Sequence, residues 1–163
     1  MKVHLHIDNR LIHGQVTVTW CSFFGVNLII VADDKVAADP LQKAMLPQAA
    51  RGIKTEVLSV SDAANYLKQK ENEASSVLVI AKTPLDALEL LKKGIKAETI
   101  NVGNQAPVAG TKYVMILNWI AVTAEDAKIY KEIGDFGYKI TTKRTPNDRE
   151  FELVDLLKKK GLL

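Results

Sequence analysis

Asp8-Asn9-Arg10-Leu11-Ile12-His13-Gly14-Gln15-Val16 is the stretch on which the fold turns, because the hydropathy period changes across it. Ahead of it, Met1-Lys2-Val3-His4-Leu5-His6-Ile7 alternates, with Val3, Leu5 and Ile7 on one face, the period of a strand. Beyond it, residues 15–24 hold neither Pro nor Gly and set Val16, Trp20 and Phe23 or Phe24 at helical spacing, with Gly25 placed to end a helix. The turn therefore belongs at the carboxyl end of a first strand. In open α/β sheets ligands bind beyond those strand ends, and the amides opening the next helix favour anions.

The turn gathers a carboxylate, a guanidinium and an imidazole, which is the equipment for handling a phosphoryl group on histidine. A neutral imidazole can attack phosphorus and later release the group, since the P–N bond is labile. The fixed charge of Arg10 favours the neutral ring, and its forked donors suit a phosphate once one arrives. Asp8 can take the proton of one ring nitrogen, or orient Arg10, leaving the other nitrogen of His13 as nucleophile. Which nitrogen reacts stays open at this level. The competing reading is a loop histidine bonded to a backbone carbonyl.

The rest of the chain alternates in the same manner. Val, Ile and Leu concentrate in residues 27–31, 54–60, 76–81 and 98–102, which reads as four further strands. Helical stretches lie between them: one from Pro40 to Ala50 behind the cap Asp39, one opening at Ser61, and one after Thr83-Pro84. Gly52 and Gly94 stop two of these. Residues 113–122 are β-prone around Asn118-Trp119, 123–135 are a helix candidate, 138–142 alternate like a strand, and 147–160 read as helical. The pattern predicts one doubly wound α/β domain, residues 1–163, with a mostly parallel sheet between helices on both faces and right-handed connections.

Composition is compatible with that. At 163 residues the chain suits a single core, and 47% hydrophobic with 25% charged residues is ordinary for a globular domain. No apolar run approaches about 18 residues and the start lacks a signal-peptide pattern, so a cytosolic location is expected. Cys21 is the only cysteine, which excludes an internal disulfide, and its place in the first helix suggests a buried thiol. The net charge of +3 comes from scattered lysines and a run at Lys158-Lys159-Lys160, without the aromatic and basic interleaving of a nucleic-acid surface. His4 and His6 project from one strand face, a spacing some zinc sites use, but no third ligand is evident, so packing against a helix is expected instead. Asp33 falls where a dinucleotide fold binds ribose, yet the first loop holds only Gly14 and no Walker loop exists, which disfavours nucleotides.

The segment from Ile7 to Val16 resembles the phosphorylation loop of the IIB proteins of the mannose family of the bacterial phosphotransferase system, where such a run carries the phosphohistidine. The likeness continues at Val31-Ala32-Asp33-Asp34-Lys35-Val36-Ala37-Ala38-Asp39-Pro40, Thr83-Pro84-Leu85-Asp86-Ala87-Leu88, Asn101-Val102-Gly103-Asn104 and Arg144-Thr145-Pro146-Asn147-Asp148, and so spans nearly the whole chain. It departs after Asn104, where Gln105-Ala106-Pro107-Val108-Ala109-Gly110-Thr111-Lys112 and an apolar run replace the family's usual sequence. Gln15-Val16-Thr17-Val18-Thr19-Trp20 looks most like the branch handling N-acetylgalactosamine or galactosamine.

That resemblance implies a seven-stranded, mostly parallel sheet with one antiparallel edge strand, in three α/β/α layers. It implies a sugar-specific phosphotransferase, in which a phosphorylated IIA protein or domain donates to His13 and phospho-His13 donates to the 6-hydroxyl of a sugar held by membrane subunits IIC and IID. Arg10 and Asp8 would assist, and phosphate or partner contacts would come from Asn9, Gly14, Gln15, Asp33, Thr83, Gly103 and Asn104. No metal or nucleotide cofactor is implied. Peripheral attachment to the inner membrane face through IIC and IID, and a homodimer, are further expectations. Two rival functions fit the same residues: a phosphohydrolase with a covalent histidine, and a regulatory module whose phosphorylation only signals.

Overall fold

In a computed structural model of the chain, which describes residues 1–73 and 75–163, the elements run β1 (Lys2–Asp8), α1 (Gln15–Phe24), β2 (Leu28–Ala32), α2 (Asp34–Ala38), α3 (Pro40–Ala49), β3 (Lys54–Leu58), α4 (Val60–Gln69) and β4 (Ser76–Ala81). There follow α5 (Pro84–Lys92), β5 (Thr99–Asn104), β6 (Tyr113–Leu117), β7 (Ile120–Thr123), α6 (Ala124–Asp135), β8 (Ile140–Thr141) and α7 (Leu153–Lys159). Six strands form one parallel sheet in the order β3-β2-β4-β1-β5-β8. The fold is the expected α/β arrangement, but the sheet has six strands rather than the expected seven, all parallel, because the antiparallel strand lies off it. β6 pairs back on β7 as a separate hairpin turned at Asn118 and Trp119; a bridge from Gln105 to Ile120 joins it to the end of β5, and Ile116, Ile120 and Val122 pack into the core.

The period of two along β1 divides the two layers. Val3, Leu5 and Ile7 face a core built from α4, α5, α6, α7 and the hairpin, including Leu67, Leu88, Tyr130 and Leu157. His4, His6 and Asp8 face the other way, toward α1. On that side Cys21, Val36 and Ala50 pack over Ile29, Val31, Leu78 and Ile80, and Leu11 and Ile12 join them. The chain thus leaves β1 on one face of the sheet and leaves its neighbours β4 and β5 on the other. The carboxyl end of β1 is where the connections diverge, the position at which such sheets form a crevice.

The caps explain most helix starts. Asp33, Asp39, Thr83 and Thr123 each accept a bond from a first-turn amide, at α2, α3, α5 and α6. Helix α4 begins two residues earlier than its sequence suggests, because Ser59 rather than Ser61 supplies the capping oxygen, to Asp62 N. The last helix is shorter than the expected 147–160. Residues 145–148 form a turn in which Asp148 N donates to Thr145 O, and 151–152 are kept out of the helix by a bridge from Thr141 to Glu152 and by the Thr142 hydroxyl donating to Phe151 O. Gly25, in a left-handed conformation, closes α1.

Candidate active site

His13 is placed by its apolar neighbours. Leu11 and Ile12 are buried in the α1-side core, so the residues flanking them, Arg10 and His13, are turned outward. The loop closes on itself as Leu11 N donates to Asp8 O at 3.1 Å. To make this turn Leu11 takes φ 62, a left-handed conformation that costs a non-glycine residue about 1–2 kcal/mol. Burial of its side chain offsets that cost. Gly14 follows with φ 66 and ψ −128, which a residue with a Cβ adopts only under strain, and α1 starts directly after it. No side chain caps this helix, so its opening amides remain directed at the crevice.

Asp8 organises the cluster. Its carboxylate is buried, 6% exposed, and accepts from Arg10 N at 2.9 Å and from Arg10 Nε and Nη2 at 3.3 Å each. The remaining approach to Oδ2 is taken by His13 Nε2 at 2.9 Å. The His13 ring is 21% exposed and its backbone N–H donates to the buried Thr17 hydroxyl at 3.2 Å. With Nε2–H committed to a carboxylate, the neutral ring keeps its proton there and its lone pair on Nδ1. Nδ1 has no hydrogen-bond partner among the described residues. In that tautomer the imidazole can act as a nucleophile at Nδ1. The hollow at the ring measures only about 10 Å³, too small to enclose a sugar.

The other expected contacts divide into two groups. Gly103 belongs to the cluster: the β1–β5 register shifts between Ile7 and Asp8, a bulge that sets Gly103 against the Asp8 carboxylate. Asn9 and Asn104 sit beside it, but their amides are occupied. Asn9 donates to Ala106 O at 2.9 Å and accepts from Ala106 N at 3.0 Å and from Asn104 Nδ2 at 3.4 Å. Asn9 therefore pins the 104–106 segment to the His13 loop. Gln15 is engaged by Arg51, whose Nη1 donates to its Oε1 at 2.7 Å, while Arg51 Nη2 stands 3.4 Å from where a Cβ of Gly14 would lie.

Asp33 and Thr83 are joined through Asp86 and make no hydrogen bond to His13 among the described residues. Each caps a helix, and both converge on Asp86. Burial first, and then the adjoining Asp33, push the Asp86 carboxyl up to about 7. Its buried Oδ2 has no hydrogen-bond partner among the described residues.

His4 and His6 are packing residues. His4 stacks on Phe24 with centroids 3.7 Å apart and bonds Thr99 Oγ1 at 2.9 Å. His6 meets the edge of Trp20 at 4.5 Å, and burial pushes its imidazole down to about 3. Among the described residues no group of three or more His, Cys, Asp and Glu side chains is disposed to hold a metal ion. Cys21 is buried, its thiol pushed up to about 11. None of the described helices is long and apolar enough to cross a membrane.

Two basic residues near the loop escaped sequence reasoning. Arg51 lies 36 residues from its partner Gln15, and Arg144 lines a cleft with Arg10. Arg51 has no local signal, and the Arg144–Asp148 stretch reads from sequence only as a likeness to the family's closing segment; both reach the loop through the order of strands in the sheet.

The sequence and the fold both match known proteins. The family described as "PTS system sorbose subfamily IIB component" matches residues 3–163. The chain is 33% identical over 152 residues to the N-acetylgalactosamine-specific phosphotransferase enzyme IIB component 2 of Escherichia coli K12, covering 93% of this chain and 95% of that one. It is 30% identical over 154 residues to the mannose-specific EIIAB component of the same strain, covering 94% of this chain and 47% of that longer protein. The IIBSor domain of the sorbose permease from Klebsiella pneumoniae superposes with a TM-score of 0.90 at 26% identity, covering 98% of each chain.

Proposed function

Since this chain belongs to the sorbose-subfamily IIB components of the phosphotransferase system, which are sugar-specific phosphotransferase subunits, we propose that His13 carries the phosphoryl group and accepts it on Nδ1. The observation that supports this reading is the 2.9 Å bond from Nε2 to Asp8, which engages one ring nitrogen and leaves the other open.

Transfer then runs in two displacements. The Nδ1 lone pair forms a bond to phosphorus as the P–N bond of a phosphohistidine on a IIA partner breaks, its electron pair returning to the donor ring. Nε2–H gains positive character as the new bond forms, and the Asp8 carboxylate stabilises it. The Arg10 guanidinium and the uncapped amides of α1 face the charge of the arriving group. In the second step a sugar hydroxyl attacks phosphorus, the bond pair returns to Nδ1, and the hydroxyl proton passes to water. Positioning and fixed charge supply the stabilisation. So small a hollow suits His13, because two different partners must reach the same atom in turn.

The partners on this reading are a phospho-IIA protein or domain and the sugar-bearing membrane subunits IIC and IID. The mannose-specific relative carries A and B in one chain, which supports a direct IIA encounter. The sugar is an N-acetylgalactosamine-type amino sugar, supported by the relative named for that sugar and by the 15–20 segment.

The test is incubation of the purified chain with phosphoenolpyruvate, the general phosphotransferase components and a mannose-family IIA. Wild type takes up an acid-labile, base-stable phosphate and His13→Ala takes up none. Equal labelling of the variant contradicts the assignment, and appreciable hydrolysis of a generic phosphomonoester favours a phosphohydrolase instead.

A further inference from the structure

A second guanidinium stands across from Arg10. Arg10, Val16, Arg144, Thr145 and Asp148 line an open cleft of about 330 Å³, and Val16 also lines the hollow that contains Asp8 and His13. The two concavities adjoin along the first turn of α1.

Arg144 is held there with unusual thoroughness for a half-exposed side chain. Asp148 accepts from its backbone N at 3.2 Å, its Nε at 3.1 Å and its Nη2 at 3.5 Å. The guanidinium carbon lies 4.0 Å from the centroid of the Trp119 ring, which stacks beneath it. The Arg144 carbonyl accepts Trp20 Nε1 at 3.0 Å, and one residue earlier the buried Asn101 amide clamps Lys143 at both its N and its O, at 2.8 Å each. An exposed ion pair alone contributes too little to stability to need such bracing. A pre-positioned cation at a reacting centre does need it.

The two arginines are also arranged alike. Arg10 gives its Nε and Nη2 to Asp8, and Arg144 gives the same two nitrogens to Asp148. In each, Nη1 has no acceptor among the described residues. Both side chains therefore present their remaining donor while a carboxylate fixes the opposite edge.

We propose that Arg144 contacts the phosphoryl group on its way to and from His13, donating from Nη1 to a non-bridging oxygen across the cleft from Arg10. This rests on His13 being the phosphoryl carrier. Arg144 exchanges no proton: the P–N bonds form and break as described above, and the second guanidinium shares the charge of the transferring group.

The experiment is rapid-quench measurement of transfer from phospho-IIA to wild type, Arg144→Lys, Arg144→Gln and Asp148→Asn, with thermal unfolding of each. Arg144→Gln is expected to slow transfer about tenfold or more. Arg144→Lys should fall between Gln and wild type, and the salt dependence of the rate should weaken in the Gln variant alone. Asp148→Asn removes one support of Arg144 but keeps the guanidinium, its Trp119 stack and the Asn101 clamp on Lys143, and should slow transfer by clearly less than Arg144→Gln does. If wild type is labelled on His13 and Arg144→Gln matches its rate, the inference fails while the His13 assignment stands. If Asp148→Asn is as slow as Arg144→Gln, the segment matters only as structure and the inference also fails. A wild type that takes no phosphate overturns both.

Discussion

A Cβ on Gly103 would lie 3.1 Å from Asp8 Oδ2, so the carboxylate that holds His13 occupies space that only a glycine leaves open. Gly103 has no unusual φ, so its role here is room and not backbone freedom. The alanine methyl needs the neighbour to give by a few tenths of an ångström, and that neighbour is a buried oxygen already bound to His13 and Arg10.

Gly103→Ala is therefore expected to slow phosphoryl acceptance several-fold, about tenfold at most, while thermal stability changes little. Rapid-quench transfer rates set beside melting curves check this. A variant with unchanged rate would mean that the Asp8 geometry is not limiting.

Leu11 joins the fold to the site. Its buried side chain offsets a left-handed backbone and directs Arg10 and His13 outward. Leu11→Ala loses the burial and keeps the strain, so it should destabilise the domain by about 3 kcal/mol and slow transfer as well. Urea unfolding at pH 7 measures the first effect. A loss below about 1 kcal/mol would show that the loop does not depend on this anchor.

His6 makes stability depend on pH. In the folded chain its imidazole is held down to about 3, whereas in the unfolded chain it titrates near its ordinary 6.5. Below 6.5 the unfolded state binds a proton that the folded state refuses, so stability present above that pH is lost as pH falls toward 3. Asp86, with its carboxyl pushed up to about 7, acts in the opposite direction, so the informative quantity is a difference between proteins. His6→Phe keeps an aromatic ring against Trp20 and removes the titration. Its urea midpoint should fall less between pH 7 and pH 4.5 than that of wild type. Parallel falls would contradict the prediction.

Features carried by local period and capping were legible in the sequence, and those made by distant contacts were not. The alternation of residues 1–7, the helix of 15–24 and the caps Asp39 and Thr83 follow from neighbours in the chain, and the structure places them as read. The 147–152 segment has helical composition, but a turn at 145–148 and the bonds from Thr141 and Thr142 to residues 151–152, about ten positions away, keep it out of the helix. The hairpin was visible as β-prone residues, though its position off the sheet depends on Gln105 pairing with Trp119 and Ala121. At the site, Asp8, Arg10 and His13 were legible because they share one turn. Asn9 reads from sequence as a phosphate or partner contact, and its use in pinning Ala106 emerges only when β1 and β5 are seen side by side.

The ring nitrogen remains the sharpest point of contact between geometry and chemistry. With wild-type protein phosphorylated by IIA and its histidines labelled with 15N, two-dimensional NMR of the imidazole distinguishes the two isomers. Phosphorus bonded to Nδ1 of His13, with the Nε2 proton retained toward Asp8, is the predicted outcome. Phosphorus on Nε2, or on another residue, would contradict the role assigned to the Asp8–His13 bond.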